Sequence, residues 1–478
     1  MDRRNSGAYL LLLYLVLAIY LLPLFPGEGS ANDLTRWATT VSLVENNSFE
    51  ISWTKDLVNT EFSDVTITKD GKIYSNKSPG VTLLSAPFYA ITKVILGKPT
   101  SENVRTSWFI LRFIIASLPL LVLAIWLLGM EVDAYSLGVF LFATPLFPYS
   151  LLYYSHVLVA VLVYFAFRLI YDTRRVFPER CFSAGLLTGF AFLCEFSAII
   201  PLIIFGLGLI TTESRERFRR IFFYVAGIAP FIFAMALYYQ LIFGSPLAML
   251  SHYEFTPPTF SGLYEILVSP SRGLFFFSPV LLFSLFAVFD SDDRGFRRHR
   301  IKLATILFTI LAVIGFAEKY GGDGVAARHL IIVIPLLLDS FFDGEIEDYS
   351  SLWRGFLFAV SFLFCTIPVL TYPFSSVELQ FPHNSFWQTL LYESNLFTLT
   401  LANTFGYLNS VWTILPVMLG LLLAVYLVWR DAKFPFKFAV GVFAGFLLVG
   451  NYMFLIDLEV QKAKPFIEKV TGQNQKAP

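Results

Sequence analysis

Long apolar segments alternate with short polar ones along almost the whole chain. Runs of about 17 to 25 apolar residues have the length of a helix that crosses a membrane, and such runs, some shorter or interrupted by proline, continue to residue 456. The pattern predicts an all-α polytopic membrane protein with about 13 transmembrane helices, in a range of about 11 to 13. The predicted segments are 8–25, 107–128, 134–150, 153–171, 181–198, 199–212, 221–243, 273–290, 303–317, 329–342, 355–372, 409–429 and 438–456.

The longest polar interruption, residues 26–105, has a pattern of its own. Leu34, Trp37, Val41 and Val44 recur at helical spacing and predict a short amphipathic helix lying at the membrane interface. The stretch "SPGVTLLSAPFYAITKVILG" predicts a second interfacial helix. Between the two, "DVTITKDGKIYSNKSP" alternates apolar and polar residues about a "KDGK" turn, which predicts a small β-hairpin.

Composition agrees with a membrane protein. The chain has 478 residues, of which 56% are hydrophobic and 15% charged, and its mean hydropathy of +0.66 lies outside the range of soluble domains. Basic and acidic residues balance at 35 each, so charge suggests no nucleic-acid partner. Cys181, Cys194 and Cys365 lie in or beside apolar runs without metal-ligand spacing, and we expect them to be buried without a redox role.

Domain organisation follows from the same runs. No small-residue cleavage site follows the first apolar run, so we interpret it as a retained helix. Residues 1–456 are predicted to form a single transmembrane catalytic domain that includes the large outer loop 26–105. Residues 457–478 are predicted to be a polar C-terminal tail.

Basic residues in the short loops predict the orientation. The segments "DTRRVFPER", "ESRERFRR", "DDRGFRRHRIK" and "RDAKFPFK" fall on one side, which is cytoplasmic by the positive-inside rule, as is the N-terminus. The loop 26–105 is then outside, and the protein is predicted to lie in the cell (plasma or inner) membrane. The short loops on the outer side contain only Arg272, Lys319 and Arg328, which makes these three cations candidates for a function.

Several stretches resemble a known enzyme group. "NDLTRWATTVSLVENNSFEI" with "YSNKSPGVTLLSAPFY", then "TPLFPYSLLYYSHVLVA", "AGLLTGFAFLCEFSA", "FGSPLAMLSHYEF", "SPSRGLFFFSPVLL" and "YGGDGVAARHLIIVIPLL" occur in the order found in the GT-C class of integral-membrane glycosyltransferases. Within that class the chain resembles the protein O-mannosyltransferase and aminoarabinose-transferase group. The acidic pair "DE" common in these relatives is "ND" here, which leaves Asp33 alone to supply the acid.

The resemblance implies a reaction and a fold. It implies a GT-C-like helical bundle that transfers one sugar, hexosyl or pentosyl, with inversion, from a polyprenyl-phosphate-linked donor. The acceptor, a glycan, lipid or protein, would be met on the outer side of the membrane. A transporter or flippase of lipid-linked sugars is the alternative, because it too needs phosphate-binding cations, although the inverted repeats and paired broken helices typical of such proteins are not evident.

Such a transfer needs a base, and the resemblance assigns that role to Asp33. An acid at a helix start is also a preferred N-cap, so a purely structural role for Asp33 is the alternative. Arg36, one turn further on, could pair with Asp33 or contact phosphate.

The leaving phosphate needs cations, for which Arg272, Arg328, Lys77 and Arg36 are the candidates, since arginine matches phosphate oxygens in bidentate fashion. The alternative for an arginine at a helix end is extension to the interface, and for Lys77 it is solvation in the loop.

Four further side chains could support the site: His329, Lys319, His156 and Glu195. Ionisable residues as deep as His156 and Glu195 are costly, which favours a function. A buried hydrogen-bonded pair that holds helices together is an equally good interpretation of both.

No cofactor is predicted with certainty, and a divalent metal is left open. Glu318 and Asp323 could be metal ligands or simply loop charges, because "GGDG" is first of all a turn sequence. Arg112 and Arg168, near predicted span ends, are expected to extend to the interface.

Overall fold

The structure is a computed structural model that describes residues 3–24, 30–58, 62–172, 177–211, 216–248, 254–289, 296–347, 349–392, 396–455 and 459–474. Within these ranges the chain is a helical bundle built around a contiguous hydrophobic core. A two-stranded sheet lies in the loop that follows the first helix.

The helices are numbered along the chain. Up to residue 243 they are α1 (Arg3–Tyr20), α2 (Ala31–Asn46), α3 (Lys55–Val58), α4 (Gly80–Leu96), α5 (Val104–Arg112), α6 (Leu118–Gly129), α7 (Ala134–Phe142), α8 (Leu146–Tyr149), α9 (His156–Tyr171), α10 (Pro178–Cys194), α11 (Ile199–Ile210) and α12 (Arg217–Phe243). The later ones are α13 (Phe260–Leu267), α14 (Leu274–Phe277), α15 (Leu282–Phe289), α16 (Phe296–Ile314), α17 (Ile334–Leu337), α18 (Asp339–Phe342), α19 (Ser351–Leu370), α20 (Gln388–Tyr392), α21 (Leu401–Thr404), α22 (Val411–Arg430), α23 (Pro435–Leu455) and α24 (Val460–Asn474). Short 3₁₀ or π turns connect or extend them at Ser52–Thr54, Phe113–Ser117, Phe196–Ala198, Pro279–Leu281, Arg328–Val333 and His383–Trp387.

Five helical stretches among the described residues are long and apolar enough to cross a membrane: Val104–Gly129, Arg217–Phe243, Ser351–Leu370, Val411–Arg430 and Pro435–Phe454. Each of them coincides with a predicted segment, and shorter apolar helices coincide with several others. The protein is therefore an integral membrane protein. The count of 13 transmembrane helices stays a prediction.

Three of the predicted spans are not continuous helices. The segments 134–150, 273–290 and 329–342 are each divided into short helices and turns. Prolines lie at the breaks, at positions 145, 279 and 335, because proline has no backbone N–H and clashes with the preceding turn. Most of the interrupted backbone is packed inside the bundle, which is where irregular backbone is tolerated at membrane depth.

The loop after α1 contains the predicted hairpin. Strands β1 (Val65–Ile67) and β2 (Ile73–Ser75) pair antiparallel, with Thr66 opposite Tyr74. This part of the prediction is confirmed. The hairpin is joined to the segment that follows α2 by a bridge between Glu50 and Tyr74.

Helix α2 differs from the predicted interfacial helix. Every residue from Asn32 to Ser42 is buried, polar ones included, so α2 is packed into the protein on all sides rather than along one apolar face. Its threonines fit there because the hydroxyls of Thr35, Thr39 and Thr40 donate to carbonyls one turn earlier in the helix. The apolar spacing identified the helix but not its burial, because hydroxyls that bond within the helix can be buried at little cost.

Helix α4 keeps an exposed apolar side. Ile91, Val94 and Ile95 are 60%, 86% and 76% exposed, whereas Ser85 and Tyr89 are buried against the rest of the protein. In a membrane protein, exposed aliphatic side chains of this kind are suited to contact with lipid.

Arg112 and Arg168 do not extend to an exposed interface as expected. Both are buried, with 3% and 5% of their surface exposed. Arg112 donates to the Leu22 carbonyl, and Arg168 forms ion pairs with Asp339 and Asp343. The expectation was wrong because partners that are distant in the sequence engage both guanidinium groups inside the protein.

The segment predicted as a polar tail contains α24. Glu459, just before this helix, accepts hydrogen bonds from the backbone N–H groups of Gln380 and Phe381 at 2.8 and 2.9 Å. Phe466 packs against Phe386 with ring centroids 5.1 Å apart. The end of the chain is thereby joined to the segment before α20.

Candidate functional site

A cavity with a volume of about 670 Å³ opens beside the start of α2. Polar groups line one part of it, and aromatic side chains line another. Its walls include Ser30, Asn32, Asp64, Asn76, Lys77, Tyr154, Glu318, Tyr320, Asp323, Arg328, Tyr372, Phe374 and Phe466. Phe466 brings α24 into this wall, so the C-terminal segment contributes to the cavity.

A second cavity of about 110 Å³ shares residues with the large one. Asn32, Asn76, Lys77, Glu318 and Arg328 border both, so the two spaces adjoin. The deeper walls of the second cavity are formed by Arg36, His156, Cys194, Glu195, Phe196, Phe316 and His329.

A third, apolar cavity of about 150 Å³ continues the series. It borders the second cavity through Glu195, Phe196, Phe316 and His329. Its other walls come from the start of α11 and the end of α16, with Ile199, Ile200, Ala312 and Val313 among them. A large polar chamber, a small basic pocket and an apolar groove therefore follow one another from α2 to α11 and α16.

Asp33 lies behind the large cavity. Its side chain is 0% exposed and is absent from the described cavity walls. The N-cap of α2 is Ser30, whose hydroxyl accepts from the Asp33 N–H, so Asp33 occupies the third helical position. The alternative that Asp33 itself caps the helix is therefore wrong. Burial raises the pKa of Asp33, although the charge of Arg112 and the bonds to Ser30 oppose that shift.

Arg36 does not pair with Asp33. Its Nε donates to Asn32 Oδ1 at 2.7 Å and its Nη2 to Ser155 Oγ at 3.2 Å. These two bonds hold the guanidinium in the wall of the second cavity, where Nη1 is buried without a partner among the described residues. Asn32, the first residue of the "ND" pair, is the one that borders both cavities.

Arg328 stands between the first two cavities. Its guanidinium carbon lies 5.4 Å from the centre of the Tyr154 ring, in cation–π contact. Its Nε has no hydrogen-bond partner among the described residues. Gly321, at φ 72°, lies against this guanidinium, where a Cβ would collide with it.

Lys77 borders the same two cavities and forms an ion pair with Asp64, with its Nζ 3.1 Å from Oδ2. Burial lowers the pKa of Lys77, while the Asp64 carboxylate acts to raise it. Lys77 thus places a positive charge beside the two cavities, and the Asp64 carboxylate already balances part of that charge.

His156 and Glu195 form the buried pair considered from the sequence. His156 Nδ1 lies 2.8 Å from Glu195 Oε2, and the Ser155 hydroxyl donates to the same oxygen at 2.6 Å. The pair joins α9 to the end of α10. The other imidazole nitrogen, His156 Nε2, has no partner among the described residues, and neither has His329 Nε2.

Four side chains that line the second cavity therefore each carry a buried nitrogen atom without a hydrogen-bond partner among the described residues. We call Arg36, His156, Arg328 and His329 the outer polar cluster, after the side of the membrane on which the sequence predicts it to lie. The unpartnered atoms are Arg36 Nη1, His156 Nε2, Arg328 Nε and His329 Nε2. Buried polar groups without partners are rare in proteins, and at a cavity they mark where a ligand can bond.

Two predicted residues are absent from the walls of the second cavity. Arg272 is fully buried and donates to the Ser271 carbonyl and to the hydroxyl and carbonyl of Ser375. Lys319 pairs with Glu265 at 2.9 Å. Neither borders the three cavities within the described residues, so a role for either at the phosphate stays a prediction.

The described residues contain no group of three or more His, Cys, Asp or Glu side chains placed to hold a metal ion. Glu318 and Asp323 are exposed in the wall of the large cavity. The second cavity has Arg36, Lys77 and Arg328 in its walls against Glu195 and Glu318, whereas the acids of the large cavity outnumber its lysine and arginine.

Solved structures of ArnT from Cupriavidus metallidurans resemble this chain over most of its length. The apo structure superposes with a TM-score of 0.54 at 13% sequence identity, covering 95% of this chain and 78% of that one. The chain has the GT-C fold. The structure of ArnT bound to undecaprenyl phosphate gives the same TM-score of 0.54 and 13% identity over 94% of this chain and 77% of that one. No family model and no curated protein matches the sequence.

Within this GT-C fold, sequence reasoning missed three residues at the cavity: Ser30, Asn32 and Tyr154. Ser30 precedes the helical pattern, and Asn32 was considered only as a departure from the acidic pair. Tyr154 stands two residues before His156 among many other aromatics. The sequence carried a signal for Ser30, because serine three residues before an acid is typical of a helix start.

Proposed function

We propose that this protein transfers a sugar from a polyprenyl-phosphate-linked donor to an acceptor on the outer side of the membrane. The observation that carries the proposal is the outer polar cluster, with its four unpartnered nitrogens between an apolar groove and a polar chamber. A lipid-linked sugar phosphate has the same three parts in the same order: an apolar tail, an anionic phosphate and a polar sugar.

The small pocket suits the phosphate. Arg36 and Arg328 provide guanidinium groups, and hydrogen bonds from such groups to phosphate are stronger than neutral ones. Lys77 adds a third cation nearby. When the sugar leaves the phosphate, negative charge grows on the phosphate oxygens, and prearranged donors stabilise that charge.

The apolar cavity suits the first part of the lipid tail. Ile199, Val313 and Phe316 line it, and it lies beside α11 and α16, which carry exposed aliphatic side chains such as Ile203 and Leu307. Undecaprenyl phosphate, the ligand bound in the ArnT structure, combines such a tail with a phosphate.

The large cavity is the proposed place for the transferred sugar and the acceptor. The acceptor oxygen attacks the anomeric carbon as the phosphate leaves from the opposite side, so a single displacement inverts that carbon. Asp33 is the proposed general base. Its pKa, raised by burial, suits it to accept a proton.

Chemistry and lipid identity can be tested together. Mass spectrometry of the purified protein should detect a bound polyprenyl phosphate or its sugar-linked form. In a separate assay with a panel of undecaprenyl-phosphate hexoses and pentoses, the wild-type protein should release undecaprenyl phosphate from at least one of them. Asp33→Asn should lower that turnover by ~10² to 10⁴, the usual share of general-base catalysis. A wild-type protein that moves the panel lipids across a vesicle membrane without consuming them would instead be a transporter.

Cysteine labelling tests the outward orientation. A cysteine at Lys72, an exposed residue of the hairpin turn, should react with an impermeant thiol reagent added to intact cells, and one at Glu216, an exposed residue just before α12 in a loop predicted to be cytoplasmic, should not. The native cysteines are buried, which keeps the background low. The reverse pattern would place the site on the cytoplasmic side.

A further inference from the structure

The proposed base and the cavity are separated by two hydroxyl groups. Asp33 is fully buried behind the wall of the large cavity. Ser30 and Tyr154 both border that cavity. In this arrangement an acceptor hydroxyl in the cavity meets Ser30 or Tyr154 before it can meet Asp33.

Two hydrogen bonds connect these hydroxyls to Asp33, and both are donated toward the carboxylate. The Tyr154 hydroxyl donates to Ser30 Oγ at 2.7 Å. The Ser30 hydroxyl in turn donates to Asp33 Oδ2 at 3.2 Å. Ser30 Oγ also accepts from the Asp33 N–H, which fixes its position at the helix start. Each hydroxyl proton thus already points toward the carboxylate.

We take Tyr154, a buried residue that borders the cavity, as the open end of this chain. It donates to Ser30 and accepts no hydrogen bond from the described residues, so its lone pairs can receive a proton from a bound hydroxyl. The guanidinium of Arg328 lies over the same ring. The open end therefore lies next to a cation of the proposed phosphate pocket, close to where the bond to phosphate would break.

We propose that Tyr154 and Ser30 form a proton wire that carries the proton of the acceptor hydroxyl to Asp33. The proposal rests on the proposed function and specifies how its base is reached. Tyr154 would touch the acceptor and would be a catalytic residue, whereas Ser30 would act through its neighbours as a positioning and relay residue.

The step balances in atoms and charge. The acceptor oxygen forms a bond to the anomeric carbon, and the bond from that carbon to the phosphate oxygen breaks with its electron pair going to phosphate. The acceptor proton passes to Tyr154, the Tyr154 proton to Ser30 and the Ser30 proton to Asp33. The phosphate gains one negative charge and Asp33 loses one. Reversal of the same chain to water then restores the carboxylate.

Four variants separate the wire from the fold around it. Tyr154→Phe removes the hydroxyl and keeps the ring, and Tyr149→Phe is the matched control, since Tyr149 is a buried neighbour whose ring centroid lies 5.7 Å away. Ser30→Asn keeps a competent N-cap, because asparagine and serine cap equally well, but has no hydroxyl to relay a proton. Ser30→Thr keeps both functions.

The assay is release of undecaprenyl phosphate from the undecaprenyl-phosphate sugar that wild type consumes, in detergent, with melting temperature measured alongside. Tyr154→Phe and Ser30→Asn should each lower kcat by about 10²-fold, within the range of acid–base catalysis, with little change in KM for the donor. Tyr149→Phe should stay within about threefold of wild type, well below that catalytic range. Ser30→Thr should recover most of the kcat that Ser30→Asn loses, because threonine keeps both the cap and a hydroxyl.

Two further readouts are insensitive to a merely structural role. Tyr154→Phe combined with Asp33→Asn should be no slower than Asp33→Asn alone, because groups that act as a unit are not additive. In mixtures of H₂O and D₂O, wild-type kcat should depend on deuterium content with curvature, as several protons move together.

The outcomes distinguish this proposal from the proposed function. A wild type that consumes no donor overturns both. Normal turnover in Asp33→Asn would rule out Asp33 as the base, and with it the proton wire, but would be compatible with the transfer reaction. Slow Asp33→Asn with normal Tyr154→Phe and Ser30→Asn overturns the wire alone, since Asp33 would then be reached directly.

Discussion

Buried and half-buried basic side chains are gathered at both ends of α9, but their charges are balanced differently. At one end is the outer polar cluster. About 18 Å along the helix, at the usual rise per residue, is an inner ion cluster made of Arg168, Arg298, Lys302, Asp339 and Asp343. The comparison shows how a buried cation that holds a fold differs from one that is available to a ligand.

In the inner ion cluster each cation has a carboxylate partner. Asp339 lies 3.0 Å from Arg168, 2.6 Å from Arg298 and 3.3 Å from Lys302. The Tyr164 hydroxyl donates to the same carboxylate at 2.9 Å. Such a network joins α9, α16 and α18, and it leaves little capacity to bind an outside anion.

In the outer polar cluster the arginines have no acid partner among the described residues. Glu195 is engaged by His156 and Ser155. Arg36 is held by the neutral groups of Asn32 and Ser155. Neutral partners position a guanidinium without cancelling its charge, so an anion can still supply the missing interaction.

The largest effect is expected from breaking the inner ion cluster. Asp339→Asn would leave three buried cations short of a negative charge, and removing one member of a buried ionic network costs about 3–5 kcal/mol. Thermal unfolding of the purified protein in detergent should show that loss. Asp343→Asn is the control, since its side chain is 26% exposed and should cost less. Equal stability of Asp339→Asn and wild type would contradict the structural role of this cluster.

Arg328→Ala should have the next largest effect, on binding rather than on stability. Loss of a charged hydrogen bond to phosphate costs about 1.5–3 kcal/mol, so the dissociation constant for undecaprenyl phosphate should rise by roughly 10- to 150-fold. Arg328→Lys should restore only part of the affinity, because the planar fork is lost.

Arg272→Ala offers the matched contrast. Its guanidinium is engaged by Ser271 and Ser375, so we expect a lower melting temperature with a smaller change in lipid affinity. If Arg272→Ala weakens lipid binding as much as Arg328→Ala without loss of stability, the sequence-based assignment of Arg272 to the phosphate would be right.

Lowering the pH is expected to have a smaller effect, and on turnover rather than on lipid binding. A general base acts only as the carboxylate, and burial raises the pKa of Asp33 above the usual aspartate range. Turnover should therefore fall as pH decreases through that raised pKa, by about tenfold per pH unit below it. Lipid binding should not follow the same profile. A turnover that holds down to the pKa of an ordinary aspartate, near 3.9, would exclude a buried base of this kind.

The sequence was sufficient for much of the fold. Apolar run length identified the five long helices, and alternation with a "KDGK" turn identified the hairpin. It did not predict the breaks within 134–150, 273–290 and 329–342, because a buried apolar run looks the same whether it is one helix or several.

For the site, the sequence indicated which residues carry charge but not which charges are balanced. Arg168 and Arg328 both occur as arginines near the end of an apolar run. Only the tertiary structure places Asp339 beside the first and leaves the second without an acid partner among the described residues. Partners separated by more than a hundred residues leave no local pattern to detect.

Lys319→Ala should have the smallest effect on lipid binding and stability, and it tests the contrast between paired and unpaired cations once more. Lys319 is an outer-side cation by the loop pattern, as Arg328 is, but its Nζ lies 2.9 Å from Glu265 and both side chains are partly exposed to solvent. Exposed ion pairs contribute about 0.2–1 kcal/mol, and a lysine already paired adds little to the field at the phosphate pocket. We therefore expect lipid affinity and melting temperature close to wild type. A tenfold loss of undecaprenyl phosphate binding would mean that the overall charge of the outer face, rather than the unpaired arginines, governs donor binding.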